Sequence, residues 1–575
     1  MPGVGTRNKH QIKELLLAVL VIAVVPAASA ATPEAPAGPP WGELGEFLED
    51  SVGSAALLRF NPVVRSIAFR RDNVFSPDEP ESGRFYARIA NALHWVTAER
   101  VVRRGLYFQE GDTLRVSDLA ASLRRLRAYP FLHSGVRAGV TGRKDSADVC
   151  IRTRDVWSTR PEISFLRHGR LISWMAGLRE GNLAGLGKDI RFEIGRTERR
   201  TYWTAGYGDQ QLLGSPLTLL ASVSHGADID GRYASLVRPR DRVQVPWALD
   251  AEATRYRGVV ADHRGGLQGP EYRGDLRTLD IEAGPRLLSR APRALWLMPA
   301  LHIDESRYAP AADFEGWRAG PAGLGTEGPS ERLRERTIRA PGIAIGFLAE
   351  RFSLGSGIET LQRWEDVSLG VDARLMIGAS MRALGSDRDA VYWQLNGMHG
   401  VRLGARRFAL LGARGYGLVS RGRTSETRAS ATVRYYDRLS SRQTLAARLT
   451  GERAHDLAPQ DLPMMGAERG LRGFDAYRFW GERLLLVNLE DRLLLVRDFH
   501  GLVSAGAAAF LDGGMAWSAG GHRSARPRLS AGVGLRLQGS RNGHDVVTRI
   551  DLAHPVAGDG PGDGWVVTVA SGQAF

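Results

Sequence analysis

The chain has 575 residues, a formal net charge of +14, 43% hydrophobic residues, 68 glycines and one cysteine. The single cysteine, Cys150, excludes an internal disulfide, and its predicted role is that of a small apolar residue in a strand. A basic balance can indicate a nucleic-acid partner, but it also fits a surface that faces anionic lipid head groups, or a general preference for arginine.

The first residues predict a secretory signal peptide over residues 1–30. Basic residues precede a short apolar stretch at 15–25, and Ala28 to Ala30 offers a small-residue cleavage site. The stretch is too short to cross a bilayer comfortably, which favours a signal peptide over a membrane anchor. No later run of 18 apolar residues occurs, so no transmembrane helix is predicted. Export argues against a nucleic-acid partner.

Residues 31–61 begin with a proline-rich run and are predicted to form a linker. Residues 62–158 predict a compact α/β domain. Its first strand is VVRSIAFRR, and its first helix contains Phe85, Ile89 and Leu93 at helical spacing. A second helix, TAERVVRRGL with Thr97 as its cap, an amphipathic helix, SDLAASLRRLRAY, and a hairpin complete it. His94 is placed on the first helix and is predicted to be structural.

From about residue 160 the sequence alternates with the period of β-strands. In the final run, WVVTVASGQAF, Trp565 and Phe575 fall on one face. Ten residues span about 33 Å along a strand, or roughly 25 Å of height at a tilt of about 40°, which matches the apolar band of a membrane barrel. We therefore expect Phe575 to anchor at the periplasmic rim. A last strand paired with the first would explain why the chain ends on an aromatic residue.

Alternation alone also fits a water-soluble sandwich. The connections between the last strands alternate between short and long, which is typical of outer-membrane barrels. The predicted fold is therefore mainly β, with a transmembrane antiparallel β-barrel over residues 160–575 after one small α/β domain. Residues 316–342 are predicted to form a long external loop.

The sequence shows no enzyme motif. It has no G-x-S-x-G, H-E-x-x-H or C-x-x-C pattern, and NLAGLGKD fails as a phosphate-binding loop because Asn182 and Asp189 occupy the positions of glycine and serine or threonine. No catalytic residue, metal or cofactor is therefore expected.

Several motifs together resemble a known family. RGLRGF, ERLLLVNLEDRLLL, FLDGG, RIDLAHP and the terminal phenylalanine are similar to the barrel half of the POTRA-containing outer-membrane assembly and translocation superfamily, the BamA/TamA-like surface-antigen family. Residues 62–158 look like one POTRA domain, and GNLAGLGKDIRFEIG looks like the first barrel strands. The resemblance implies about 16 strands.

The resemblance also implies roles for particular residues. Arg472, with Gly473 and Phe474, belongs to a loop that folds back into the barrel lumen. Asp512 is the expected acceptor for Arg472, because its strand places it on the lumen face, and Glu490 is a second candidate. At the C-terminus, Trp565 and Phe575 belong to the last-strand signal. Gly572 matches a glycine that weakens the last strand, although it is also one of 68 glycines.

These implications lead to two expected functions. The first is a barrel in the outer membrane of a Gram-negative bacterium that assembles or translocates client polypeptides through a gated seam, with its POTRA domain in the periplasm. The second is a passive channel or structural anchor whose POTRA domain binds a periplasmic partner. Outer-membrane lipids and lipopolysaccharide are expected partners. The chain departs from the best-known members by having one POTRA-like domain and an extra helical insertion at about residues 76–96.

Overall fold

We describe a computed structural model of the chain, covering residues 47–168, 171–197, 200–226, 229–261, 271–310, 333–518, 526–541, 547–557, 564–573 and 575. The predicted signal peptide lies outside the described residues. No described helix is long and apolar enough to cross a bilayer.

The N-terminal part is a small α/β domain with a three-stranded sheet. Strand β3 lies in the middle, parallel to β1 and antiparallel to β2. Its elements are α1 (Ser51–Leu58), β1 (Val63–Asp72), α2 (Phe85–Leu93), α3 (Glu99–Arg103), α4 (Val116–Arg127), β2 (Arg137–Gly142) and β3 (Ser146–Arg154). In α4, Leu119, Leu123 and Leu126 are spaced to form one face, and all three are buried against the sheet.

The predicted linker is wrong over its second half. Residues 47–61 belong to the small domain, because Phe47, Leu48 and Leu58 are all buried in its core. The Glu49 amide also donates to the Ala138 carbonyl of β2 at 2.9 Å. The proline-rich run masks this in the sequence, since the helix that follows it is short and weakly patterned.

The C-terminal part is a closed antiparallel barrel of 20 strands in the described residues. The strands of the first half are β4 (Thr159–His168), β5 (Leu171–Glu180), β6 (Lys188–Thr197), β7 (Arg200–Asp209), β8 (Thr218–Gly226), β9 (Ile229–Arg238), β10 (Trp247–Ala261), β11 (Glu271–Arg290), β12 (Arg293–Pro310) and β13 (Arg336–Ala349). After a two-stranded hairpin, β14 (Phe352–Gly355) with β15 (Glu365–Ser368), the barrel continues with β16 (Val371–Ser380), β17 (Ala390–Arg402), β18 (Arg407–Ser420), β19 (Arg423–Arg438) and β20 (Gln443–His455).

A second short pair, β21 (Met464–Met465) with β22 (Phe479–Trp480), lies in the loop that follows β20. The last barrel strands are β23 (Arg483–Phe499), β24 (Val503–Trp517), β25 (Arg528–Gly539), β26 (Thr548–Ala557) and β27 (Val566–Ser571). The expectation of about 16 strands is therefore wrong. Part of the predicted external loop at 316–342 is also strand, because β13 begins at Arg336.

The barrel wall is apolar outside, and inside it is mostly polar along the last strands and apolar beside β12, where Trp296 is fully buried. In β23, Val487 and Leu489 are exposed while the alternating Asn488 and Glu490 are fully buried. Similar exposed apolar residues occur on many other strands, among them Ile194, Trp203, Ile281, Leu297, Ile343, Ile377, Val533 and Ile550. A water-soluble sandwich exposes polar side chains and buries apolar ones, so the exposed apolar residues of this wall distinguish the two folds.

The small domain docks on one end of the barrel, which we call the small-domain end; the opposite end is the far end. The Ala98 amide donates to the Gly185 carbonyl at 2.8 Å, in the turn between β5 and β6. The Gln211 side chain donates to the Val101 carbonyl at 2.9 Å, in the turn between β7 and β8. The NLAGLGKD stretch therefore forms part of this docking surface.

Candidate functional site: the barrel lumen and the closing seam

The loop between β20 and β23, residues 456–482, folds into the lumen. Arg472 and Phe474 are both fully buried. Gly473 between them has φ +94°, and a Cβ there would lie 2.7 Å from the Cβ of Ser530, so the turn requires a glycine. Phe474 packs with other apolar residues of the loop and wall, namely Met465, Leu471, Phe479, Leu484, Leu486 and Ala516.

Arg472 binds Asp512 as the sequence predicts. Its Nε donates to one carboxylate oxygen of Asp512 at 2.8 Å, and its second terminal nitrogen donates to the other at 2.9 Å. This is a bidentate pair, in which the planar guanidinium matches the two oxygens of the carboxylate. The Arg472 backbone amide also donates to Asp512, at 3.2 Å, so the loop backbone is fixed as well.

Arg472 reaches two further carboxylates. Glu490, the second predicted acceptor, lies 2.8 Å from Arg472 Nη1, and Asp551 on β26 lies 3.2 Å from the same atom. Three more arginines complete the network: Arg492 and Arg536 contact Glu490, and Arg536 and Arg549 contact Asp551. We call these seven side chains the lumen network.

Phe510 is a buried aromatic residue on the lumen-facing side of β24. Its neighbours on that side of the strand are small or polar. The Arg472 guanidinium carbon lies 3.4 Å from the centre of its ring. The aromatic face therefore supports the guanidinium from one side while carboxylates bind its edges.

The barrel closes through a weak junction, which we call the seam, between β27 and β4. Only two residue pairs are in register in the described residues, Thr568 with His168 and Val569 with Arg167. Elsewhere the smallest described junction, between β26 and β27, has six pairs. Both seam pairs lie toward the far end, so residues 159–166 of β4 have no described partner on the β27 side.

The C-terminus turns away from the seam into the lumen, so the prediction that Phe575 anchors at the lipid-facing rim is wrong. Strand β27 ends at Ser571, and Gly572, with φ +83°, turns the chain while its amide donates to the Val547 carbonyl at 2.7 Å. Phe575 is buried, and its carbonyl accepts a hydrogen bond from Arg492 at 3.3 Å. Trp565 stays outside, with 63% exposure, before the far-end start of β27.

The β14–β15 hairpin encloses the C-terminal residue. It enters the lumen from the small-domain end, where Asp366 pairs with Arg127 of α4 at 2.7 Å. Its Ile358 carbonyl accepts from Arg492 at 2.6 Å. Phe575 belongs to one apolar cluster with hairpin and wall residues, which are Ile358, Val367, Leu369, Phe408, Tyr436 and Ala446.

No family model and no curated protein matches the chain. Among solved structures, the fold is similar to CdiB from Escherichia coli, with 12% identity over 89% of this chain and 76% of that chain, at a TM-score of 0.45. It is similar to CdiB from Acinetobacter baumannii, with 11% identity over 89% and 74%, at a TM-score of 0.43. It also matches BamA from Haemophilus ducreyi lacking POTRA domains 1–3, with 14% identity over 89% and 84%, at a TM-score of 0.33.

At these identities and scores the likeness does not assign a family. The sequence predicted Arg472, Asp512 and Glu490 of the lumen network. It did not single out Asp551, Arg492, Arg536 and Arg549, although several of them stood on the polar faces of their strands. The β14–β15 hairpin gave no signal in the sequence.

Proposed function

We propose that the chain is an outer-membrane barrel of the BamA/TamA-like superfamily that assembles or translocates client polypeptides, with the small domain acting as its periplasmic POTRA domain. The proposed activity makes and breaks no covalent bond. The apolar outer wall supports a place in a membrane, since exposed apolar strands are stable only in lipid. The order of elements in the small domain supports the POTRA assignment, since α3 and α4 stand between β1 and the β2–β3 hairpin and α2 is the extra helix.

The seam is the observation that carries this proposal. An unpaired strand edge in a membrane protein leaves amide and carbonyl groups unsatisfied, and a client strand can satisfy them by adding to the sheet. In this chain the free edge of β4 lies at the small-domain end, where a client from the periplasm would arrive. We infer that clients first pair with residues 159–166 of β4.

The lumen supports this function over that of a passive channel. The 456–482 loop and the β14–β15 hairpin both fold into the lumen, and the hairpin is bound to the small domain through Asp366 and Arg127. Two inserted elements that are held in place by ion pairs would obstruct an open pore. We infer that, through the hairpin, a movement of the small domain changes how far the lumen is blocked.

A disulfide across the seam tests the proposal. In a Cys150→Ala background, cysteines at Arg167 and Val569, which are register partners, would lock β27 to β4. Cysteines at Leu552 and Val567 would form a matched control within the β26–β27 junction.

Both variants would be reconstituted in liposomes, and insertion of a small denatured β-barrel precursor would be measured before and after reduction. The proposal predicts that the oxidised seam variant is inactive, that reduction restores it, and that the control is active in both states. Full activity of the oxidised seam variant would contradict it.

A further inference from the structure

The helix α2 exposes the large apolar residues of the small domain. Phe85, Ile89 and Leu93 are 69%, 52% and 68% exposed, and Trp95 just after the helix is 62% exposed. Residues four apart lie on one helix face, so the three helical residues form a continuous apolar stripe. The opposite face, with Ala87 and Ala90, is buried against Val74 and Phe75.

This apolar stripe is not needed to complete the domain. The main core of the small domain is formed by α1, α3, α4 and the sheet, and it contains none of the three stripe residues. A contiguous group of large apolar side chains in water is unfavourable, and on a soluble surface it marks a binding site.

Both ends of α2 are fixed to the barrel rim. Near its start, the Tyr86 hydroxyl donates to the His500 carbonyl at 2.8 Å, in the turn between β23 and β24. Just after its end, His94 contacts Asp155 at 2.8 Å and Ser158 at 3.1 Å, immediately before β4 begins. In the order of the barrel, β24 to β27 lie between these two attachment points. The helix therefore crosses beneath the seam.

The apolar outer wall of the barrel continues to both attachment points. On one side, Phe499 and Leu502 are 60% and 39% exposed beside His500. On the other side, Ile163 of β4 and Leu178 of β5 are 81% and 58% exposed near the small-domain end. The two attachment points of α2 thus lie beside apolar parts of the surface that faces lipid in the proposed function.

The charges beside the stripe fit a phospholipid surface. Arg84 and Arg88 are exposed on and before α2. Amphipathic helices that combine large apolar residues with flanking arginines bind in the interface of a bilayer, where the arginines meet phosphate groups.

We propose that α2 is an interfacial membrane helix that lies in the phospholipid leaflet on the small-domain side, directly beneath the seam. This inference rests on the proposed function, because it requires the barrel to stand in a bilayer. The helix holds the small domain against the membrane at the point where the edge of β4 is unpaired. A client strand that reaches this edge would pass along a lipid-bound surface and not through open water.

Site-specific fluorescence quenching tests the location of α2. In a full-length Cys150→Ala background, an environment-sensitive fluorophore would be attached to a cysteine that replaces Ile89. The protein would be reconstituted in vesicles in which one phospholipid is spin-labelled near the head group and another near the end of the acyl chain, so that quenchers are present at the interface and at the bilayer centre.

Two further sites serve as references. Lys144 lies in the β2–β3 turn, roughly 30 Å along the nine-residue strand β3 from the end of that strand that leads to the barrel. Val533 on the outer wall of β25 is 58% exposed and reports on the barrel itself.

The inference predicts strong quenching at Ile89 and Val533 and none at Lys144. If Ile89 is as weakly quenched as Lys144 while Val533 is quenched, the inference is wrong and the proposed function stands. If Val533 is not quenched, the barrel does not stand in lipid and the proposed function itself is wrong.

Discussion

At the scale of single residues, Arg472 decides how the lumen is organised. It is fully buried and contacts three carboxylates that come from β23, β24 and β26. Taking so many charges out of water is favourable only if every one is paired. The loop and three wall strands are therefore held together by one guanidinium.

Removal of this guanidinium should destabilise the barrel strongly. Arg472→Ala leaves Asp512 without its bidentate partner, and loss of one partner from a buried ion pair costs about 3–5 kcal/mol. Arg472→Lys should fall between wild type and Arg472→Ala, because an ammonium keeps the charge but cannot bind the carboxylate in bidentate geometry. Thermal unfolding in detergent, followed by the change in gel mobility of the heated barrel, measures the stability of both variants.

Arg469→Ala is the matched control for the lumen network. Arg469 lies three residues away in the same loop, but its side chain is 44% exposed and its contact with Glu452 is 3.4 Å long. Exposed ion pairs of this kind contribute little to the stability of a protein. Equal melting temperatures for Arg472→Ala and Arg469→Ala would show that the lumen network does not hold the barrel.

Phe575 should hold the C-terminal residues of the chain inside the lumen. Phe575→Ala removes the ring that packs against Tyr436 and the hairpin, so residues 564–575 should exchange their amide hydrogens faster. Trp565→Ala, at the exposed start of the same strand, should leave this exchange unchanged. Unaltered exchange in Phe575→Ala would show that the buried phenylalanine does not hold the tail.

The sequence predicted the Arg472–Asp512 pair because both residues could be placed locally. Asp512 shares a strand face with Ser504 and Gly506, and the RGLRGF motif located Arg472. Contacts such as that of Arg472 with Asp551 depend on which strands are neighbours and in what register. A single sequence with alternating strands does not contain this information.

At the scale of elements, the seam differs from every other described junction of the barrel. Hydrogen exchange in lipid nanodiscs should therefore show fast exchange at the small-domain end of β4, since residues 159–166 are bonded only to β5. The amides of β25, which pair on both sides with β24 and β26, should be protected. Equal protection of β4 and β25 would contradict a weak seam.

The strands were predicted best where alternation was clean. The runs ERLLLVNLEDRLLL, RIDLAHP and WVVTVASGQAF each contribute to a strand, and the short and long connections between the last strands fall on opposite ends of the barrel. The final strand was predicted too long, because the turn at Gly572 carries the last residues inward without breaking the alternation of residue types. The sequence does not locate the strands in the middle of the barrel, and the expected number of 16 strands comes from the resemblance alone.

At the scale of the whole molecule, the β14–β15 hairpin links the small domain to the lumen. At the lumen side, the Leu361 amide donates to the Gln538 side chain at 2.7 Å. At the other side, Leu354 packs against the core of the small domain. A movement of the small domain would therefore move an element inside the barrel.

Removal of the hairpin tip should open the lumen. Replacing residues 356–364 by two glycines removes the contacts with Gln538 and Arg492, and single-channel conductance in a planar bilayer should rise. A deletion of residues 383–387, in the far-end connection between β16 and β17, is the control and should leave the conductance low. The same low conductance in both deletions would show that the hairpin does not block the lumen.

The most direct measurement is photo-crosslinking between the seam and a client strand during insertion. A photoreactive amino acid would replace Ile163 on the unpaired edge of β4, or its register partner Ala176 of β5, one strand further from the seam. With a labelled barrel precursor as client, the account predicts crosslinks from position 163 and none from position 176. Equal crosslinking from both positions, or none from position 163 while the precursor is inserted, would contradict client addition at the seam.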